Sequence, residues 1–467
     1  MRRTKIICTI GPKTETDDMI KNLAAAGMNI ARINMSHGQP EGTAVIMDRI
    51  NKINQGTTFP IGLMLDTQGP EIRTSAKTEF GLEEGDIFKI AVSSACDIQE
   101  GEKHTFVNYE NLIKKVKQGD IILIDDGMIA VEVLKVEPFH VTTRVLNKGK
   151  LGKRKSVNIP GIRTDIQSIT EKDVLDIKMG VEHGIDYVAQ SFVRKKEDIM
   201  QMRDLLQSLG SNAIIIAKIE DQEGVDNMDS IIEEADGIMV ARGDLGVQIP
   251  FEDIPILQKY MVKRCIELGK PVIIATHLLE SMIQNPRPTR AEVTDVANAV
   301  FEKADCVMLS GETTKGEYPV ECVKTMNRIA AKVQQQLSFD MSPELVKTKD
   351  VKEVITLDAC INAENLGAKA IIVFSKTGKL LGLVTKNRPN VDVFVFTNNE
   401  EIMRKLVMYW ATYPFVIQFK ENFESMVREA IRMLKDKNLV EKGERVIVVS
   451  DVSPRMDIDT LEIRTID

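Results

Sequence analysis

Apolar and polar positions follow one recurring order along most of this chain. A short, wholly apolar run is followed by a stretch whose apolar positions fall three and four residues apart. The first pattern predicts strands buried on both faces of a parallel sheet, and the second predicts helices packed over them. Strands are expected at residues 4–10, 28–33, 61–66, 185–190, 213–218, 237–241, 271–276 and 305–309, each followed by a helical stretch. The first helix is expected over 14–26 with Gly27 as its C-cap, and Thr170/Asp173 and Thr289/Glu292 read as capping boxes at two later helix starts. From 74 to 158 the rhythm breaks into short β segments around Glu84-Gly85-Asp86, Gln118-Gly119-Asp120 and Asp125-Asp126-Gly127. Beyond a polar stretch at 338–352, a second α/β region is expected, with strands at 370–374, 391–396, 415–418, 445–450 and 460–465. The pattern therefore predicts an α/β chain in three parts. A (β/α)8 barrel covers 1–73 and 159–335, a small β-barrel is inserted at 74–158, and a C-terminal α/β unit covers 336–467.

The barrel strands share a second feature. Their interiors are apolar, but seven of the eight end in polar or charged residues: Arg32, Asn34 and Ser36; Asp66 and Thr67; Gln190 and Ser191; Lys218 and Glu220; Arg242 and Asp244; Thr276; Ser310 and Glu312. For one strand this would read as surface ion pairing. Repeated around a barrel, whose strand ends converge on one face, it predicts an active site there. Lys218 and Glu220 share a parity, as do Arg242 and Asp244, so two strands would deliver both signs of charge to one patch. Glu220 and Asp244 supply oxygen ligands for a hard cation, and Arg32, Arg73, Lys218 and Arg242 supply positive charge. Small residues at Gly243 and Gly246 let backbone amides approach an anion such as a carboxylate. That set suits phosphoryl transfer, in which positioning and charge neutralisation do most of the catalysis.

Composition removes other classes. A net charge of −8 over 467 residues disfavours nonspecific nucleic-acid binding. The six cysteines are scattered, so zinc spacing is missing and reduced, buried thiols are expected. No Ser–His–Asp or Cys–His set is evident, and Thr377-Gly378-Lys379 lacks the earlier glycine of a phosphate-binding loop. No stretch reaches transmembrane length, and a soluble, cytoplasmic protein is expected.

At these residues the sequence closely resembles the pyruvate kinase family. The motifs are Thr9-Ile-Gly-Pro12, Asn34-Met-Ser-His-Gly38, Leu65-Asp-Thr-Gln-Gly-Pro-Glu-Ile-Arg73, Asp125-Asp-Gly127, Val157-Asn-Ile-Pro-Gly161, Ala217-Lys-Ile-Glu220, Met239-Val-Ala-Arg-Gly-Asp-Leu-Gly246, Asn285-Pro-Arg-Pro-Thr-Arg-Ala-Glu292 and Met308-Leu-Ser-Gly-Glu312. The resemblance implies the last step of glycolysis, phosphoryl transfer from phosphoenolpyruvate to ADP giving pyruvate and ATP, in a cytoplasmic homotetramer. It implies Mg2+ (or Mn2+) on Glu220 and Asp244, with Lys218 and Arg32 on the transferring phosphate. The Gly243 and Asp244 amides would take the substrate carboxylate, and Thr276, Ser310 and Glu312 would serve the pocket and a proton relay. It further implies K+ at Asn34, Ser36, Asp66 and Thr67, with Glu71 as the acid that accompanies potassium dependence, and nucleotide contacts from Asn34, His37, Arg73 and Lys178. The insert would be a lid that closes with Asp126 near the metal. Two alternatives stay open here: another Mg2+-dependent barrel enzyme, such as a lyase or aldolase, and an inactive regulatory relative.

Some positions depart from the family pattern: Gln68 where Lys is common, Met35 for Phe, Asp221 for Asn and His277 for Gln. Ser375-Lys376-Thr377-Gly378-Lys379 resembles the family's effector phosphate loop, but Leu380 and Leu381 follow it where a hydroxyl is usual. The carboxylates Asp451, Asp457 and Asp459 stand where a sugar bisphosphate would otherwise be enclosed, so no activation by fructose 1,6-bisphosphate is expected.

Overall fold

A computed structural model describes residues 1–467 apart from 37, 39, 77–78, 95–97, 100, 340–349 and 453–459. Eight parallel strands close into a barrel: β1 (Lys5–Thr9), β2 (Ile30–Asn34), β3 (Gly62–Asp66), β4 (Tyr187–Gln190), β5 (Ile214–Ile219), β6 (Gly237–Ala241), β7 (Val272–Ala275) and β8 (Cys306–Leu309). Alternate residues of each strand face inward, because a pleated strand repeats every two residues. Ile7, Ile30, Met64, Tyr187, Ile216, Met239, Ile273 and Cys306 form one apolar cluster inside the barrel. The opposite parity, such as Ile6, Cys8, Ala31, Ile33, Leu63 and Leu65, packs outward against the helices in a separate, larger cluster. Both capping boxes are present, at the starts of the helices Glu171–Glu182 and Arg290–Phe301. The first helix is shorter than its periodicity suggested. It spans Asp17–Ala26, because the Thr16 side chain caps Met19 N–H there, and it ends at Gly27 with φ +127°.

The insert carries its own core and a six-stranded half-barrel with edges at Val157–Asn158 and His104–Phe106. A two-stranded ribbon, Phe80–Leu82 with Gly149–Leu151, lies beside it. The C-terminal region forms a five-stranded sheet in the order Thr412–Val416, Asp392–Thr397, Ala370–Phe374, Arg445–Ser450, Thr460–Thr465, with the last strand antiparallel. The strand expected at 415–418 lies three residues earlier, and it contains Pro414. It is an edge strand, where a residue without an N–H is tolerated.

The C-terminal region plugs the N-terminal end of the barrel. Val407 and Met408 enter the inward-facing apolar cluster. Around this plug, Arg388 donates both terminal nitrogens to Asp305 at 2.9 and 2.6 Å, and Arg404 pairs with Asp186 at 2.9 Å. Trp410, the chain's one tryptophan, is fully buried at this seam; its backbone N–H donates to Asp305 at 2.9 Å and its indole N–H to the Pro389 carbonyl at 3.1 Å. Lys5, also buried, donates to the Thr412 carbonyl at 2.6 Å and lies 3.8 Å over the Tyr413 ring. Among the described residues no helix is long and apolar enough to cross a membrane.

Candidate active site

At the C-terminal end of the barrel the inward-facing series continues past the apolar cluster, and its members become polar. Ile7 leads to Thr9, Ile30 to Arg32, Met64 to Asp66, and Ile216 to Lys218 and then Glu220. These side chains meet. Buried Asp66 takes the Arg32 Nε at 2.6 Å on one oxygen and the Lys218 Nζ at 3.0 Å on the other. Lys218 also reaches Glu220 at 2.9 Å and the Ser191 hydroxyl at 2.8 Å, and Arg32 donates to Thr9 Oγ1 at 2.8 Å. The Phe192 N–H fixes the second Glu220 oxygen at 2.7 Å. Four charged groups therefore share one buried network at the floor of a cavity of about 680 Å³.

The electrostatics of this floor follow from its geometry. Burial alone would raise Asp66, but the charges and hydrogen bonds of Arg32 and Lys218 outweigh it and hold the carboxyl below its ordinary value. Burial would likewise push Lys218 down, yet Asp66 and Glu220 together win and keep it charged, above its usual range. Asp244 keeps solvent contact through the cavity mouth. Crowding by surrounding protein, and then the charge of Glu220, push its carboxyl up to about 7. Water at the mouth lessens the burial part, so the neighbouring acid is the cause that persists. Glu220 and Asp244 are two neighbouring acids beside the cavity. Among the described residues no group of three or more His, Cys, Asp or Glu forms a metal-ligand cluster. Two carboxylates beside open volume fit Mg2+, which takes one or two carboxylates and fills its remaining positions with substrate oxygens and water.

The remaining candidates divide by location. Asn34, Ser36 and Arg73 line the cavity, and Thr67 lies buried next to Asp66, its hydroxyl accepting from Ser191 N–H at 3.0 Å. Arg73 is held by Glu71 at 2.6 Å. Gly243 donates its N–H to the Thr276 hydroxyl at 2.7 Å; Thr276 and His277 both adopt left-handed backbone, φ +66° and +56°, just past β7. The buried Ser310 hydroxyl oxygen has no hydrogen-bond partner among the described residues, while Glu312 accepts from the N–H groups of Ser310 at 2.8 Å and Leu279 at 3.1 Å. Burial holds the Glu312 carboxyl above its ordinary value. His37 lies outside the described residues.

Gly243, Thr276, Ser310 and Glu312 do not line the cavity wall, and Lys178 and Arg242 do not line it either. Lys178 is exposed on the helix Glu171–Glu182 and is not among the lining residues. Arg242 is turned away by a bidentate pair with Asp295, at 2.7 and 2.8 Å. The parity argument fails for Arg242 because β6 ends at Ala241 and a helix, Arg242–Gln248, starts there, which replaces the period of two by 3.6. Conversely, Lys153, Arg154 and Lys155 of the insert line the cavity, as do Asp221 and Phe192. Nothing in the local sequence separates that basic run from a solvated loop; only the folding of the insert over the barrel brings it there.

Known proteins share this chain's architecture. The family model of the pyruvate kinase barrel domain matches residues 1–323, and that of the pyruvate kinase alpha/beta domain matches 353–464. The chain is 42% identical over 462 residues to a pyruvate kinase of Sporosarcina psychrophila and 42% identical over 457 residues to one of Geobacillus stearothermophilus. Each alignment covers 97% of this chain and 78% of the relative. A crystal structure of a pyruvate kinase from Cryptosporidium parvum superposes with a TM-score of 0.93 at 35% identity, covering 100% of this chain and 96% of that one.

The chain belongs to the pyruvate kinase family. It is a phosphotransferase that moves the phosphoryl group of phosphoenolpyruvate to ADP, giving pyruvate and ATP. Pyruvate kinases generally depend on Mg2+ and K+. The acidic pair and the two buried cations lie together at one end of one barrel.

Proposed function

We propose the following division of labour for the phosphoryl transfer. Glu220 and Asp244 would hold Mg2+, which would supply positive charge against the phosphoryl group being transferred. Lys218 and Arg32 bind the phosphoryl group, and Asp66 keeps both cations charged and aimed. The Gly243 and Asp244 amides take the substrate carboxylate, with Thr276, which accepts the Gly243 N–H in the free protein, beside them. Arg73 and Asn34, with the insert's Lys153–Lys155 run, receive the nucleotide phosphates. The bond from phosphorus to the enol oxygen breaks as one to the terminal ADP oxygen forms, and the enolate then takes a proton at its methylene carbon. The unpartnered Ser310 hydroxyl and the raised Glu312 carboxyl, with Thr276, support a route for that proton.

The same proposal assigns 1–73 and 159–335 to the catalytic unit, 74–158 to a lid that keeps water from competing with ADP, and 336–467 to an effector-binding unit. Asn34, Ser36, Asp66 and Thr67 would hold K+. Ser375–Lys379 takes a phosphorylated effector other than fructose 1,6-bisphosphate. The Ser375 hydroxyl faces Asp451 at 3.4 Å, and Leu380 and Leu381 are core side chains with no hydroxyl to offer. A cytoplasmic homotetramer completes the reading.

The observation that carries the proposal is the shared network Arg32–Asp66–Lys218–Glu220, with Asp244 beside it at the cavity floor. Its test is pyruvate formation from phosphoenolpyruvate and ADP, with and without Mg2+ and K+. Loss of turnover without Mg2+ is expected. Full activity in a chelator would overturn the roles given to Glu220 and Asp244.

A further inference from the structure

The first turn of the helix Glu171–Glu182 touches both loops that carry the K+ residues. Lys172 donates its ammonium to the Met35 carbonyl at 2.9 Å, and Met35 stands between Asn34 and Ser36. Met35 is pinned from the other side as well, since its N–H donates to the Asp66 carbonyl at 3.0 Å. The next residue, Asp173, accepts the N–H groups of Gln68 and Gly69 on one oxygen at 3.1 and 3.2 Å, directly after Asp66 and Thr67. Its other oxygen closes the capping box, taking the N–H and hydroxyl of Thr170 at 2.9 and 2.7 Å. Consecutive helical side chains point about 100° apart, so adjacent residues can reach two different loops.

Two details argue that this clamp is more than incidental packing. A lysine at the second position of a helix opposes the helix dipole, and a Lys followed by Asp four residues on is the less favourable order for an ion pair. Lys172 has both features, with Asp176 at 2.5 Å, so local helix stability does not account for it. Gly69 lies at φ +70°, and a Cβ there would meet the Ser191 Cβ at 2.8 Å and the Phe192 ring at 2.9 Å. The loop that Asp173 holds therefore packs closely against the residues that contact Lys218 and Glu220.

We propose that Lys172 and Asp173 are positioning residues for the monovalent-cation pocket. They fix the loop of Asn34 and Ser36 and the loop of Asp66 and Thr67 at one separation, touching neither substrate nor ion. The inference rests on the K+ reading above, and the experiment keeps the two apart. Turnover of the full chain is measured against K+ concentration at saturating phosphoenolpyruvate, ADP and Mg2+, for wild type, Lys172→Met and Lys172→Arg. The half-saturating K+ concentration is expected to rise about tenfold in Lys172→Met, while turnover at saturating K+ falls less than about twofold. Lys172→Arg, which keeps a donor to the carbonyl, should restore most of the K+ affinity. If the wild type needs no K+, the K+ reading fails and this inference fails with it. If the wild type is K+-activated and Lys172→Met follows the same curve, or loses turnover equally at every K+ concentration, the positioning role is overturned and the K+ reading stands. Melting of the wild type and Lys172→Met is followed against K+ concentration without substrate: the K+ needed for half the stabilisation should rise about tenfold in the variant, and coincident curves would overturn the positioning role.

Discussion

The two ends of the barrel both bury charge, and they bury it differently. At the N-terminal end each charged group has its own partner: Asp305 with Arg388, Asp186 with Arg404, and Lys5 with a carbonyl and an aromatic face. Those groups lie around the plug formed by Val407 and Met408. At the C-terminal end the groups are shared. One carboxylate serves two cations, one ammonium serves two carboxylates, and a further acid crowds the pair beside open volume. Charged strand ends by themselves therefore do not mark a site. Closed pairs hold parts together, whereas an open, unevenly shared network is prepared to accept another charge.

The largest expected effect breaks the open network. Lys218→Met should cut turnover at least about a hundredfold, the scale of losing one group that stabilises transition-state charge. Its circular dichroism should match the wild type's, and unchanged turnover would remove Lys218 from the mechanism. Breaking a closed pair should instead cost stability. Asp305→Ala strands the Arg388 guanidinium and removes the acceptor of Trp410 N–H, at about 3–5 kcal/mol in denaturant unfolding. The folded fraction should keep its turnover, and a loss in activity with no loss in stability would reverse the comparison.

Lys5 gives a subtler test of the same end. Burial, and then the nearby Arg2 charge, lower its pKa from 10.5 to about 7. Between these values the unfolded chain holds a proton that the folded chain lacks, so stability rises with pH across that window. Below about 7 both states are charged and the folded state carries the full burial cost. Denaturant unfolding at pH about 7 and about 9.5 should show the wild type gaining on Lys5→Met at the higher pH. Parallel behaviour would mean that Lys5 stays protonated throughout. The smallest effect belongs to charges at neither end. Glu424, paired with Arg464 and Arg428 on the surface, should be replaceable by Gln with no measurable change in turnover or melting.

Much of this was legible in the sequence, because parallel strands buried on both faces announce themselves as apolar runs. β6 and the strand Ala370–Phe374 fall where the pattern put them, and the other barrel strands lie within one or two residues. The inward-facing polar tips Arg32, Asp66, Lys218 and Glu220 were legible for the same reason, since strand parity carries past the last apolar residue. What was not legible depends on context beyond the strand. Pro414 reads as a breaker until the strand is known to lie at an edge. Arg242 reads as a site residue until a helix starts at that position. The Lys153–Lys155 run and the Lys172–Asp173 clamp act across long sequence separations, and no local pattern reports which loops they will meet.

Because Trp410 is the chain's one tryptophan and sits against Arg388 at the plugged end of the barrel, intrinsic emission excited at long ultraviolet wavelengths comes from that seam alone. Undocking of the C-terminal region would let water reach the indole and shift its spectrum to the red. An unlabelled sample thus carries its own optical gauge of whether the two regions remain joined while ligands bind at the opposite end.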